Sequence, residues 1–164
     1  MNFELIKLGY LSGNKASVYA VWFDDLNLTS FEIFIKENEK VFKSELLDIV
    51  KRLKKIGAST GAREQYFKKG EGIPGDGVCA LFDSPGKKLR LYCIRYGSMI
   101  VVLGGGGKKD VAKLQHDKKL TDENYFLRRL SAEITERIKN DEIWFSEDKL
   151  DFEGDLKFNS DDNE

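Results

Sequence analysis

The sequence has few of the side chains that build metal and redox sites. It holds one histidine and two cysteines among 164 residues, with no Cys-x-x-Cys pair, which leaves little material for a zinc centre. No metal or other cofactor is expected. Cys79 and Cys93 both lie in apolar, strand-like runs. Buried reduced thiols of a cytoplasmic protein are the expectation, with a disulfide between neighbouring strands as the alternative. No apolar run approaches the length of a membrane span, and the opening residues, MNFELIKLGYLSG, lack the charged-then-apolar order of a secretion signal. A net charge of −1 removes any global basic signal for nucleic acid. There are no internal repeats. What is present, 41% hydrophobic and 34% charged residues, suits one soluble domain with a sizeable core over residues 1–158. An N-terminal hairpin opens that domain, and residues 159–164 form an acidic tail expected to be disordered.

Charge is unevenly placed. Residues 86–119 carry nine Lys or Arg against Asp110 and Asp117, whereas ten Asp or Glu stand against Lys149 and Lys157 from Asp141 onward. Opposed blocks attract, so the acidic end from Glu147 is expected near the basic middle; the alternative is an independent tail that only solvates the end of the chain.

The basic middle centres on residues 88–109, KLRLYCIRYGSMIVVLGGGGKK. This reads as two antiparallel strands joined at Gly97-Ser98, a two-residue type II′ turn in which glycine takes the positive φ. Side chains alternate along the first strand. Leu89, Leu91 and Cys93 share an apolar face, and Lys88, Arg90, Tyr92 and Tyr96 share a cationic, aromatic one. That second face is expected at least partly in solvent. The second strand, 99–103, is apolar throughout and ends in a glycine turn before Lys108-Lys109.

Around this hairpin, 3–11 and 17–23 read as strands. Thr29-Ser30-Phe31-Glu32 is a capping box opening a short helix to about Asn38. A longer helix spans 41–56, with Phe42, Leu46, Ile49, Val50, Leu53 and Ile56 at helical spacing and Gly57 as its cap. Its last turns carry Lys51, Arg52, Lys54 and Lys55, which suit the negative end of the helix dipole. The stretch 59–69 reads as a short helix or an irregular edge strand, and 78–82 as a strand. Asp83-Ser84-Pro85-Gly86 turns the chain into the hairpin. Residues 110–115 start a short helix. Thr121 caps the last long one, whose stripe is Phe126 or Leu127, Leu130, Ile134 and Ile138. Ile143-Trp144-Phe145 reads as a short strand or as a clamp onto the sheet.

Two phosphate-binding motifs fail, the first on its context and the second on its spacing. Residues 70–75 match G-x-G-x-x-G, but Pro74 lies inside and no buried strand precedes it. In the run 104–109, Val102 stands where a P-loop needs its first glycine, and Lys109 where it needs Ser or Thr. The glycines retain the option of a backbone nest for an anion, which would suit a phosphorylated small molecule.

The words KLRLYCIRYG and IVVLGGGGKK, with the helix that follows, resemble the RelE/HigB-like toxins of bacterial toxin–antitoxin systems. The resemblance implies an α+β domain: a twisted, mainly antiparallel sheet with helices packed against it. It implies a metal-independent endoribonuclease that cleaves messenger RNA, on the ribosome in many members, and is neutralised by an antitoxin protein of helix-turn-helix type. In such an enzyme the 2′-hydroxyl attacks the adjacent phosphorus while cationic side chains stabilise the growing charge. Arg90 matches the central-strand arginine and Lys108-Lys109 the paired lysines, with Tyr92 as a base-stacking group or weak acid. Lys88, Arg95, Tyr96 and His116 are the RNA-binding candidates around them. Arg95 shares the parity of Leu91 and is expected to snorkel at the strand end. The rival function is a non-catalytic module using the same scaffold to contact protein or RNA.

Overall fold

The computed structural model describes residues 2–83, 85–109 and 114–159, with backbone alone for 114–117. Its centre is a mixed sheet. The strands β1 (Asn2–Lys7), β2 (Ser17–Phe23), β3 (Leu28–Thr29), β4 (Phe67–Lys68), β5 (Val78–Leu81), β6 (Leu89–Tyr96), β7 (Ile100–Lys108) and β10 (Lys157–Asn159) belong to it. The order across it is β10-β1-β2-β7-β6-β5-β4, with β3 on the flank of β2. Every pairing is antiparallel except β2 with β7. A separate ribbon pairs β8 (Ile143–Phe145) with β9 (Phe152–Gly154). The class is therefore α+β with a mainly antiparallel sheet, as expected.

Two helices cover the sheet, one on each face. Helix α1 (Ser30–Lys55) packs Phe31, Phe34, Leu46 and Leu53 with Val18, Ala20, Leu91, Cys93, Val101 and Leu103. Helix α2 (Leu114–Lys139) packs Leu120, Leu127, Leu130 and Ile134 with Tyr19, Val21, Tyr92, Ile94, Ile100 and Val102. The alternation of strand side chains sorts them between the two helices. The apolar run of β7 is thereby explained, since both of its faces are covered.

Helix α1 begins as its sequence demands. The Thr29 hydroxyl accepts from the Glu32 N–H at 3.0 Å, and the Glu32 carboxylate accepts from the Thr29 N–H at 3.0 Å. Ser30 then pins this end to the sheet: its hydroxyl accepts from the Val21 N–H and donates to the Leu103 carbonyl. The two helices expected over 30–38 and 41–56 are one element, kinked at Phe42 (φ −120°, ψ 33°). Gly57 is not the cap. It lies in a π-helical turn, Ile56–Thr60, that extends α1. A Cβ there would stand 2.2 Å from the Leu11 carbonyl oxygen, so the close chain crossing requires glycine.

Four further expectations change. The first strand stops at Lys7. The hairpin loop has three residues, 97–99, because Tyr96 pairs with Ile100; Gly97 has the expected positive φ, 58°. Thr121 lies inside α2 rather than at its start. The four glycines form no turn; they continue β7 to Lys108. Register shifts where Leu91 pairs with Gly106 but Cys93 with Leu103, which makes a bulge of Gly104-Gly105 opposite Tyr92. Cβ atoms on Gly104 and Gly105 would meet Leu127 and Glu123 of α2, and one on Gly106 would stand 1.8 Å from the Arg90 carbonyl oxygen. Close approach of α2 and β6 therefore explains Gly104, Gly105 and Gly106, whereas a Cβ on Gly107 would make only ordinary contacts; as part of a strand the run forms no anion-binding turn.

The acidic end also lies elsewhere. Asp151 binds Lys7 at 2.8 Å and faces Ser17 and Tyr19 on β1 and β2. Strand β10 closes the sheet edge at β1, three strands from β6. The ribbon does touch β6, through Phe145 and Phe152 on Tyr96, but at the end away from Arg90. Residues 160–164 lie outside the described residues. Cys79 and Cys93 are cross-strand partners with sulfurs 3.6 Å apart; both are free, buried thiols. Among the described residues no helix is long and apolar enough to cross a membrane.

Candidate functional site

The site forms where β5 ends, β6 begins and β7 ends. Glu45 of α1 sets the entry of β6: its two carboxylate oxygens accept from the Lys88 N–H at 2.9 Å and the Leu89 N–H at 2.7 Å. Pairing of Leu89 with Lys108, and the Lys109 N–H donating to the Lys88 carbonyl at 2.9 Å, bring the end of β7 alongside. Beyond Leu81 the chain turns at Phe82, whose φ of 49° is left-handed, and presents Asp83 to this corner.

Asp83 is the centre of the arrangement. Its Oδ2 accepts from Arg90 Nε at 2.6 Å and its Oδ1 from Lys109 Nζ at 2.5 Å. The carboxylate side chain is only 3% exposed, against 19% for Arg90 and 12% for Lys109. Burial alone would raise the Asp83 pKa. The hydrogen bonds and charges of Lys109 and Arg90 outweigh it and hold the carboxyl below its ordinary value. Burial likewise opposes the Arg90 charge, but the Tyr92 and Asp83 side chains outweigh it and raise its pKa. The Tyr92 phenol is raised by burial, with Arg90 partly offsetting the rise.

Of the four residues read as catalytic, Arg90 and Lys109 thus meet on one carboxylate, and Tyr92 joins them through Arg90. Lys108 ends β7 beside them with its side chain exposed. The solvated face expected for Tyr92 is not observed. Tyr92 is 4% exposed because α2 lies over it. Arg90 keeps partial exposure because it sits near the sheet's end.

The surrounding candidates divide. Lys88 is exposed at the same corner. Arg95 donates from Nε to the Ala62 carbonyl at 2.8 Å and lies over the Phe67 ring at 5.7 Å, a brace on the α1 face consistent with its parity. Tyr96 packs under Phe145 and Phe152, and burial pushes its phenol up, so it is not a solvated RNA contact. The His116 side chain lies outside the described residues; its backbone is in α2.

Sequence reasoning missed Asp83, which it took for a turn residue. A signal was there: Asp83 is the one acid in 77–109, among six Lys or Arg. A lone carboxylate in such company meets a cation on almost any folding of the segment. Among the described residues no group of three or more His, Cys, Asp or Glu is placed to hold a metal ion. No family model matches the chain, and no curated protein or solved structure matches it either.

Proposed function

We propose that the chain is a RelE/HigB-like protein that acts on RNA, a metal-independent endoribonuclease restrained by an antitoxin. The observation that supports this reading is the meeting of Arg90 and Lys109 on the two oxygens of Asp83, with the Tyr92 phenol on Arg90. A carboxylate held by one cation on each oxygen occupies the seat a phosphodiester would take with its two non-bridging oxygens. In this reading the RNA phosphate displaces Asp83, and Arg90 then meets charge that grows as the 2′-hydroxyl attacks. Lys109, with Lys108 and Lys88 nearby, binds the backbone. Asp83, freed from its cations and set beside a phosphate, becomes more basic and takes the 2′-hydroxyl proton; as the 2′-oxygen bonds to phosphorus the P–O5′ bond breaks, leaving a 2′,3′-cyclic phosphate, and water protonates the departing 5′-oxygen. Tyr92 orients Arg90 from below rather than stacking on a base.

A second reading follows from the same ion pairs. If Asp83 never yields its place, the corner is structural, and the scaffold is a non-catalytic module that contacts RNA or protein. The test uses purified protein with translating ribosomes and, separately, with naked RNA, both in EDTA. The expected result is cleavage that Arg90→Ala lowers about 100-fold, the scale of one lost transition-state contact, with unfolding behaviour checked alongside. No cleavage in either assay, with growth unaffected by expression, selects the binding module.

A further inference from the structure

On the α1 side of Phe82 lies a cavity of about 400 Å³ whose lining includes Lys51, Arg52, Lys55, Asp48, Tyr66 and Phe82. The volume falls within the range of small-molecule sites. Its aromatic part is a pair: the Tyr66 and Phe82 rings have centroids 5.5 Å apart at 45°, and both are half-buried against the α1 core. Its polar rim is cationic. Lys51, Arg52 and Lys55 are exposed, and Asp48 lies among them; Arg52 Nε reaches Asp48 at 3.0 Å and Lys87 Nζ reaches it at 3.3 Å.

Two details distinguish this cavity from a charged helix end. First, Phe82 is a bulky residue at positive φ. Strand alternation would send its side chain to the face opposite Leu81; the left-handed turn returns it to the α1 side, where its ring joins Tyr66. Backbone strain of this kind persists only where surrounding structure holds it. Second, the Arg52 guanidinium already lies over the Phe82 ring, 4.9 Å from its centroid. A planar cation fits the space above that ring, so a planar base fits it too, once Arg52 swings outward on its exposed side chain.

We propose that this cavity binds an unpaired nucleotide, with the base over Phe82 and against Tyr66 and the phosphate on Lys51 and Lys55. Aromatic rings stack on any base, and exposed ammonium groups bind phosphate as point charges. The inference rests on the RNA-directed reading only for the source of the nucleotide, an RNA strand or a free molecule. It does not require Arg90 to perform chemistry.

The experiment titrates isotope-labelled full chain with 5′-AMP, adenosine, inorganic phosphate and a single-stranded RNA pentamer, following Tyr66 and Phe82 ring resonances. 5′-AMP is expected to shift both rings. Lys51→Gln with Lys55→Gln, both at exposed positions, should weaken 5′-AMP about tenfold and leave adenosine unchanged, while Tyr66→Leu weakens both about tenfold. Tighter binding of the pentamer than of 5′-AMP assigns the site to a strand, and the reverse to a free nucleotide. Unmoved rings at millimolar 5′-AMP, or equal binding of inorganic phosphate and 5′-AMP, overturn the proposal. A pentamer that perturbs Arg90 and Lys109 without moving the rings overturns it and leaves the RNA reading intact. Ring shifts with 5′-AMP but no RNA binding or cleavage uphold the nucleotide site and end the RNA reading.

Discussion

Two cationic regions flank one short turn. Phe82 faces Arg52, Lys51 and Lys55, and the next residue, Asp83, faces Arg90 and Lys109. The carboxylates that serve them differ. The Asp83 side chain is 3% exposed and holds its two cations with little solvent between them, whereas the side chain of Asp48, bridging Arg52 and Lys87, is 37% exposed. Positive charge in a sequence therefore does not tell which cations a ligand can reach. Where the counterion is buried, an incoming anion must displace it at a cost. Where it is exposed, water already screens the pair and a ligand competes with little.

The hardest way to break the closed corner is through its backbone. Gly106→Ala sets a Cβ against the Arg90 carbonyl oxygen, and neither strand can yield without losing its ladder. The expected loss is about 3 kcal/mol or more in urea unfolding. Gly105→Ala meets only the end of the Glu123 side chain and should cost clearly less. Equal losses would mean that α2, not β6, sets the fit.

Next in size is the contrast between the two carboxylates. Asp83→Asn leaves Arg90 and Lys109 without their shared counterion and should cost about 2 to 3 kcal/mol. Asp48→Asn, at an exposed pair, should cost about 1 kcal/mol or less. Matching losses in parallel denaturation curves would erase the distinction between the two regions. Asp83→Asn should also bind RNA more tightly than the native chain at low salt, because it removes the negative charge that competes with phosphate for Arg90 and Lys109.

The smallest effect is the pH dependence of that contrast. The Asp83 pKa is depressed in the folded state from an ordinary 3.8. Its stabilisation is fully present above that unfolded value and is lost as pH falls through the folded one. The stability gap between native chain and Asp83→Asn should thus be constant near neutrality and narrow only in acid below the ordinary carboxyl value. A gap that opens instead near pH 6 to 7 would implicate another group, such as a histidine.

Some of this was legible along the chain. The Thr29–Glu32 box is closed by atoms within four residues, so its hydrogen bonds were readable. The face shared by Leu89, Leu91 and Cys93 follows from the two-residue period of a strand and is observed in the α1 core. Of the candidate site, Arg90 and Lys109 were singled out by their resemblance to the central-strand arginine and paired lysines of the toxins, beside the cationic pattern of the strand. Asp83 was passed over because a turn explained it locally.

The sequence by itself determined what short-range physics controls: where α1 starts, which strand residues share a face, and that Gly97 takes a positive φ. Tertiary structure decided the rest. The glycine run is read locally as a turn, and only α2 and β6 lying against it make it a strand. Tyr92 is apolar enough to bury and polar enough to expose, and the arrival of α2 decides which. Asp83 meets Arg90 and Lys109 because β5, β6 and β7 end at one corner. Periodicity and capping act over a few residues of one chain segment, whereas burial and ion pairing depend on which distant segment arrives, and that is a property of the whole packed chain.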